Sequence, residues 1–470
     1  MSYIDSFRDS FGKRRIFWLN LSGSFAIGLD RAFPITNVGC LDDGLEYPLV
    51  EQRSGVAFCS HERSTAERVV THDPASDDVA GLLGPRIEAI VRSAPSDDWW
   101  LVCPRKSPAL EAIAQRRGCS YVGPRPDLCD WLNHKANFFQ GCNKLGLAFP
   151  PGRWLRAFQT RHSELHGEFG DKYVLQQPRG TTGLGTRIVS SEADFARAGA
   201  ALGDDDLWAA PYLGNLSLNL NAIAMETAAA VSYPSVQLVG FDMLGQTPGG
   251  YCGNDFSAVA ALPPSMIEEA IEKTRRLGEW LATLGYRGIY GVDFVVEAAT
   301  GCLYAVDLNP RWQGSTVLEI QAMLREGRLP LAAADIAYGT GALSEQEVMD
   351  LADDFRLPIS GSQLLPYVPQ GVTHRVARDI RPGVYRIADK LEFLREGLEI
   401  ADCTTDEEAL LTGGIVKRGT MMYPGSRPLR LFSPRSAIHL NTCRPLPWAQ
   451  RAAEQLYRLL GLTPPSLADG

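Results

Sequence analysis

The sequence predicts a multidomain protein of mixed α/β and α+β class. Three observations lead there. A chain of 470 residues exceeds one ordinary core and fits roughly two to four domains. Its first part alternates strand and helix patterns, as a parallel sheet does. Residues 288–316 and the stretch after Pro366 read instead as hairpins and short strands.

Residues 1–128 form the expected N-terminal α/β domain. Lys13-Arg14-Arg15 before the run from Ile16 to Leu29 mimics a secretion signal. Asn20, Ser22 and Ser24 interrupt that run, and no small-residue cleavage pattern follows. It reads better as a buried strand, Arg15 to Asn20, entering a glycine-containing turn. Its two glycines do not make a dinucleotide fingerprint. Trp99 to Cys103 is a second strand. Ser107-Pro108 then caps and opens a helix, and Gly118 ends it. Cys119 to Gly123 returns as a strand.

Residues 129–340 follow as a second unit, with one part over about 150–215 and a further part over 216–340. Asp130 to Leu147 reads as helical and leads into AFPPGRW. Strand 173–177 enters Gly180-Thr181-Thr182-Gly183-Leu184-Gly185, and strand 186–190 leaves it. Glycines let backbone N–H groups approach an anion, and the threonines add hydroxyl donors. No Gly-Lys-Ser/Thr follows, so this is not a P-loop. Residues 207–223 read as strand, with Asn219 and Asn221 alternating on one face. GQTPGGYCGNDFSA, from Gly245, is a polar glycine-rich loop without an assigned role. Ser265-Met266-Ile267-Glu268 reads as a capping box for a helix to Leu284, stopped by Gly285.

The chemistry concentrates in residues 288–316, GIYGVDFVVEAATGCLYAVDLNPRWQGST. Residues 289–297 and 302–309 read as two strands around Ala299-Thr300-Gly301. With Ala298 opposite Cys302, Asp293 faces Asp307, and Asn309 shares their face. A bulge at the loop would shift this register by one. Two carboxylates directly opposed destabilise a hairpin unless something positive sits between them. Arg311 and a metal ion are the candidates. Two carboxylates and an amide oxygen make a hard ligand set that suits Mg²⁺ holding phosphates. The alternative is an ordinary hairpin whose acids face water.

GVDF, an apolar strand and then DLNPR resemble the metal-binding end of the ATP-grasp superfamily. GYRGIYGVDF is especially similar to its biotin carboxylase branch. The resemblance covers about residues 125–330 and implies an ATP-grasp fold with an N-terminal pre-ATP-grasp domain. It implies that Asp293, Asp307 and Asn309 hold Mg²⁺ (Mn²⁺ as an alternative) against ATP, and that Arg311 steadies the transferring phosphoryl group. It makes Lys135 the match for a lysine touching phosphate, against the alternative of a solvated helix lysine. It makes Gly180, Thr181, Thr182, Gly183 and Gly185 the flexible loop over the triphosphate. Gln177-Pro178 stands where the family usually has a lysine dipeptide. Arg179 and Arg187 are the nearby candidates for that charge; the alternative is a weaker α-phosphate contact. Tyr212 and Leu213 fall in the adenine hinge, whose usual acid is replaced by Ala209 and Ala210.

Residues 341–470 are read as a C-terminal α+β module. Ser344 and Glu347 cap a helix there. GVYRI, KLEFL, GGIVKRG and LRLFSPRS read as short β-like segments, and Trp448 to Leu460 as a closing helix. Lys417, Arg418, Arg427, Arg430 and Arg435 read mostly as solvated surface, with contact to an acidic substrate as the alternative.

Composition narrows the partners. The chain is 45% hydrophobic and 21% charged, with net charge −9, which argues against a nucleic-acid binder. No uninterrupted apolar stretch is long enough for a membrane span. The ten cysteines form no Cys-x-x-Cys pair and read as reduced thiols in a cytoplasmic protein. The function that the resemblance implies is ATP-dependent amide or peptide-bond formation through an acyl phosphate, on amino-acid or peptide substrates. Loading of a carrier protein and nucleotide binding without ligation are the alternatives. A homo-oligomer is left open.

Overall fold

The computed structural model describes residues 3–9, 11–12, 14–65, 79–156, 159–180, 183, 185–203 and 206–463. Thr181 and Thr182 therefore lie outside the described residues.

Five parallel strands form the N-terminal sheet, in the order Ala57–Ser60, Ile35–Cys40, Arg15–Leu19, Trp99–Val102 and Ser120–Val122. Parallel strands are buried on both faces. Accordingly Ile16, Phe17, Trp18 and Leu19 are all inaccessible. The Pro108–Arg117 helix has Ser107 accepting from Leu110 N at one end and Gly118 left-handed at the other. Both caps were legible in the sequence.

A four-stranded antiparallel sheet follows, in the order Arg153–Leu155, Leu207–Pro211, Tyr173–Gln176, Thr186–Val189. The glycine turn joins its last two strands. The third sheet has eleven strands. It starts at Leu303–Asn309 and Gly288–Val296, passes through Ser217–Ala224, Ser235–Val239 and Tyr251–Asp255, and continues into the C-terminal residues. Ser362–Leu364, Arg430–Ser433, Glu408–Thr412, Gly383–Ile387 and Leu391–Arg395 complete that run. These five C-terminal strands thus extend the sheet of the acidic hairpin, while His374–Arg375 pairs with Met421–Met422 and Ile438–His439 with Arg444–Pro445 in two small sheets apart from it.

Several local expectations change. The helix over 264–283 begins at Pro264 with Pro263 as its cap, so Ser265 and Glu268 make no capping box. Proline fits there because a first-turn N–H has no helical partner anyway. Ser344 and Glu347 do form the reciprocal box. The segment read as one helix from Asp130 is broken at Asn133-His134 into Pro126–Leu132 and Lys135–Lys144. Residues 413–419 are a loop rather than a strand.

Among the described residues no helix is long and apolar enough to cross a membrane. All ten cysteines are free.

Candidate active site

The acidic hairpin keeps the expected pairing of Asp293 with Asp307, but by a different route. At the turn, Glu297 N donates to Cys302 O at 2.9 Å, so Ala298 does not face Cys302. Phe294 pairs with Ala305 and Asp293 with Asp307, leaving Val306 as an extra residue. This bulge restores the register that the turn displaced. Bulges often re-aim side chains beside active sites, and this one sets both acids on the cavity face.

The carboxylates are not left to water. Lys135 is only 7% exposed, and its Nζ lies 2.7 Å from Asp307 Oδ1. The reading of Lys135 as a solvated helix lysine is therefore wrong. Its helix is placed by a close approach: a Cβ on Gly141 would meet the Trp280 ring at 2.5 Å. The helix gives up about 1 kcal/mol of propensity there for that packing. His134 caps the helix by accepting from Ala136 N, and Lys135 N donates to Pro178 O at 2.9 Å. The lysine and the glycine turn are thereby fixed to each other.

Asn219, on the neighbouring strand, donates to Asp293 Oδ1 at 2.5 Å. Asn309 Nδ2 lies 3.4 Å from Asp293 Oδ2, and its Oδ1 accepts from Arg311 Nη2 at 3.0 Å. Burial, and then the charge of Asp307, pushes the Asp293 carboxyl up to about 6. A hard cation would relieve that repulsion. Among the described residues no group of three His, Cys, Asp or Glu side chains is arranged to hold a metal ion. A metal here would take two carboxylates and an amide oxygen, with the rest of its shell from substrate and water.

Lys135, Asp293, Asp307, Asn309 and Arg311 line one cavity of about 1,140 Å³. Gly180, Gly183 and Gly185 of the turn, and Tyr212 and Leu213 of the segment after Leu207–Pro211, line it as well. Gly183 is left-handed (φ 78°), and a Cβ there would meet Gly249 O at 2.2 Å. The glycine turn therefore rests on the polar loop from Gly245, which had no role in the sequence reading. Gln177 lines the cavity, but its amide donates to Leu202 O at 3.1 Å. Arg179 is exposed at the rim, whereas Arg187 is not among the lining residues. Leu213 O accepts from Ala298 N at 2.9 Å, which ties this segment to the acidic hairpin.

Among the cavity residues, Lys172 escaped the sequence reading, and Arg427 and Arg430 were read mainly as solvated surface. Lys172 shares a strand face with Val174 and Gln176, and its Nζ sits 3.9 Å from the Tyr212 ring centroid. A lysine leading an apolar strand was the available signal. Arg430 was read with the solvated C-terminal cations, yet it is 0% exposed. An arginine between Leu429 and Leu431 in a short strand was the hint.

Residues 132–315 match the family model of the ATP-grasp domain. The chain carries an ATP-grasp domain. Its acidic hairpin, glycine turn and Lys135 all fall within the matched residues. The overall fold is similar to the biotin carboxylase domain of Hydrogenobacter thermophilus 2-oxoglutarate carboxylase, solved with MgADP and bicarbonate. That match has TM-score 0.57 at 12% identity, over 90% of this chain and 86% of that one. It is also similar to Aspergillus clavatus N5-carboxyaminoimidazole synthase solved with ADP, at TM-score 0.52 and 13% identity, over 92% and 96% of the two chains. At these identities the likeness speaks for the fold alone. A curated relative, the [butirosin acyl-carrier protein]–L-glutamate ligase of Niallia circulans, is 22% identical over 229 residues. The match spans 46% of this chain and about half, 49%, of that protein.

Proposed function

We propose that this protein is an ATP- and Mg²⁺-dependent ligase that joins a carboxylate to an amine, with amino-acid or peptide substrates. The observation that carries the reading is the pairing of Asp293 and Asp307 over Lys135 in the cavity that also holds the glycine turn. Bound Mg²⁺ would neutralise the phosphate oxygens and hold them for transfer. Asp293, Asp307 and Asn309 fit it by donor type, and relatives of this fold have been solved with ATP or MgADP.

Lys135 and the backbone around 180–185 would hold the phosphates, and Tyr212 and Leu213 would flank the base. Lys172, over Tyr212, adds a cation that the Gln177 position lacks. A substrate carboxylate oxygen would attack the γ-phosphorus as the bond to ADP breaks, giving an acyl phosphate. The amine nitrogen would then attack the acyl carbon, inorganic phosphate would leave, and the amine would lose a proton. Arg311, forked and always charged, would stabilise the oxygens of the transferring group. Catalysis of this kind is mainly positioning and charge stabilisation.

A carrier-protein thiol as acceptor is the second reading, and the name of the Niallia circulans relative favours it. The first experiment is an ADP- and phosphate-release screen over amino-acid pairs, with mass spectrometry of the products. Asp307→Ala should lose at least about a hundredfold in turnover, by the scale of a removed electrostatic group. Turnover retained in that variant would reject the assignment.

A further inference from the structure

Arg430 sits in the strand Arg430–Ser433, wholly buried, and lines the cavity. Its Nη1 donates to Gln363 Oε1 at 3.3 Å and reaches Gly314 O at 3.5 Å. Its Nε and Nη2 have no hydrogen-bond partner among the described residues. No described carboxylate forms an ion pair with it, and Asp42, whose charge it feels, is already bonded to Ser22, Tyr47 and Gly23. Phe25 covers one face, its ring centroid 5.0 Å from the guanidinium carbon. Burial, then the charge of Arg427, pulls the guanidinium down to about 9, so it remains charged at neutral pH.

A buried guanidinium without an anion is costly, because desolvation is not offset by a partner. A protein keeps such a group at a cavity wall when a ligand brings the anion. The position fits that purpose. Gly314 lies three residues after Arg311, and Tyr251 packs directly on it: a Cβ there would meet the Tyr251 hydroxyl at 2.3 Å. Tyr251 also accepts from Gln363 Nε2 at 3.0 Å. One short turn, residues 311–314, therefore serves both the hairpin site and the Arg430 network. At about 1,140 Å³ the cavity is larger than the roughly 300–1,000 Å³ that holds one ligand. It has room for a nucleotide and a second molecule.

We infer that Arg430, with Arg427 beside it on the cavity wall, forms a second anion subsite that holds the free carboxylate of an amino-acid or short-peptide substrate. This is the carboxylate that is not activated. The inference rests on the ligase reading for the neighbouring hairpin, but its test does not. Phosphate would also satisfy a guanidinium, so the probes must separate the two.

The experiment is equilibrium binding to the full chain with Mg²⁺ and a non-hydrolysable ATP analogue. The probes are free amino acids, dipeptides, their C-terminal amides, and inorganic phosphate. At least one acid should bind the wild-type protein about tenfold or more tightly than its amide. Arg430→Gln should abolish that preference. Since Arg430 is buried, Arg427→Gln is the second variant; it should reduce the preference severalfold in a protein with wild-type circular dichroism. Equal binding of acid and amide, binding of phosphate but of no acid, or binding of no probe would each overturn the inference. Acid preference that survives in an Asp307→Ala protein without turnover supports it; should that wild type also ligate no amino-acid pair, the ligase reading falls alone.

Discussion

Removing the cation that pairs with Asp307, as Lys135→Met, tests the site most directly. Methionine keeps most of the apolar stem and deletes the charge. At 2.7 Å and an effective dielectric near 20, the Lys135–Asp307 attraction is about 6 kcal/mol gross. Desolvation of the lysine offsets much of this, and Asp307 keeps 29% of its side chain exposed. The expected net loss is therefore about 2–3 kcal/mol, below the usual range for breaking a fully buried pair. Denaturant unfolding in EDTA and in saturating Mg²⁺ would measure it. At a hundredfold excess over its dissociation constant, a bound ion adds about 2.7 kcal/mol. In the wild type Asp307 is already neutralised, so Mg²⁺ should stabilise the variant more, by about 1–2 kcal/mol. The apparent KM for ATP should rise roughly tenfold or more, the scale of one charged phosphate contact. Equal Mg²⁺ increments in both proteins, together with an unchanged KM, would refute the argument that lysine and metal answer the same pair of charges.

Other perturbations are sharper at single residues. Gly183→Ala must take a left-handed backbone and push against Gly249 O, so the glycine turn should lift from the 245–250 loop. The expected cost is about 1–2 kcal/mol, with a raised KM for ATP as the readout. Glu46 is fully buried, accepts from Gly414 N and Ile415 N, and is pushed up to about 7 by burial. Its folded value lies above the unfolded 4.5, so the native state binds the extra proton and stability falls as pH rises from about 4.5 to 7. Glu46→Gln should remove that slope: relative to wild type, the variant should gain about 3 kcal/mol between pH 4.5 and 8, read by unfolding at each pH.

How much was legible follows from how local each cause is. The Ser107 and Gly118 caps, the Ser344–Glu347 box and the opposition of Asp293 to Asp307 depend on residues close in sequence, and the chain states them. The register at the turn did not follow, because a short loop accepts either pairing and the bulge at Val306 is chosen by what packs around it. Lys135 as a partner of Asp307 needed two residues 172 positions apart to be brought together. Arg430 was misread for the same reason. Whether a lone arginine in a strand is solvated depends on which sheet its strand joins, and that is a tertiary fact.

That same sheet explains why the cavity has three walls. Glu46, from the N-terminal part, grips the backbone at 414–415, while Trp312 N donates to Pro104 O at 3.2 Å just beyond the acidic hairpin. The acids sit on strands that run in the same sheet as Arg430. A shift of the hairpin therefore moves against the N-terminal part, and a shift of Arg430 moves against the hairpin. Reacting groups held by one continuous sheet keep their spacing without a ligand, which is the arrangement that transfer by positioning requires. The glycine turn belongs to the separate four-stranded sheet and meets this frame at the Gly183–Gly249 contact and at the Lys135–Pro178 hydrogen bond. Motion that admits a nucleotide is thus expected in that smaller sheet. Hydrogen exchange should show residues 173–189 gaining protection when the ATP analogue binds, while the Gly288–Val296 strand stays protected throughout. Protection gained first in the hairpin would mean that the frame, and not the turn, is the moving part.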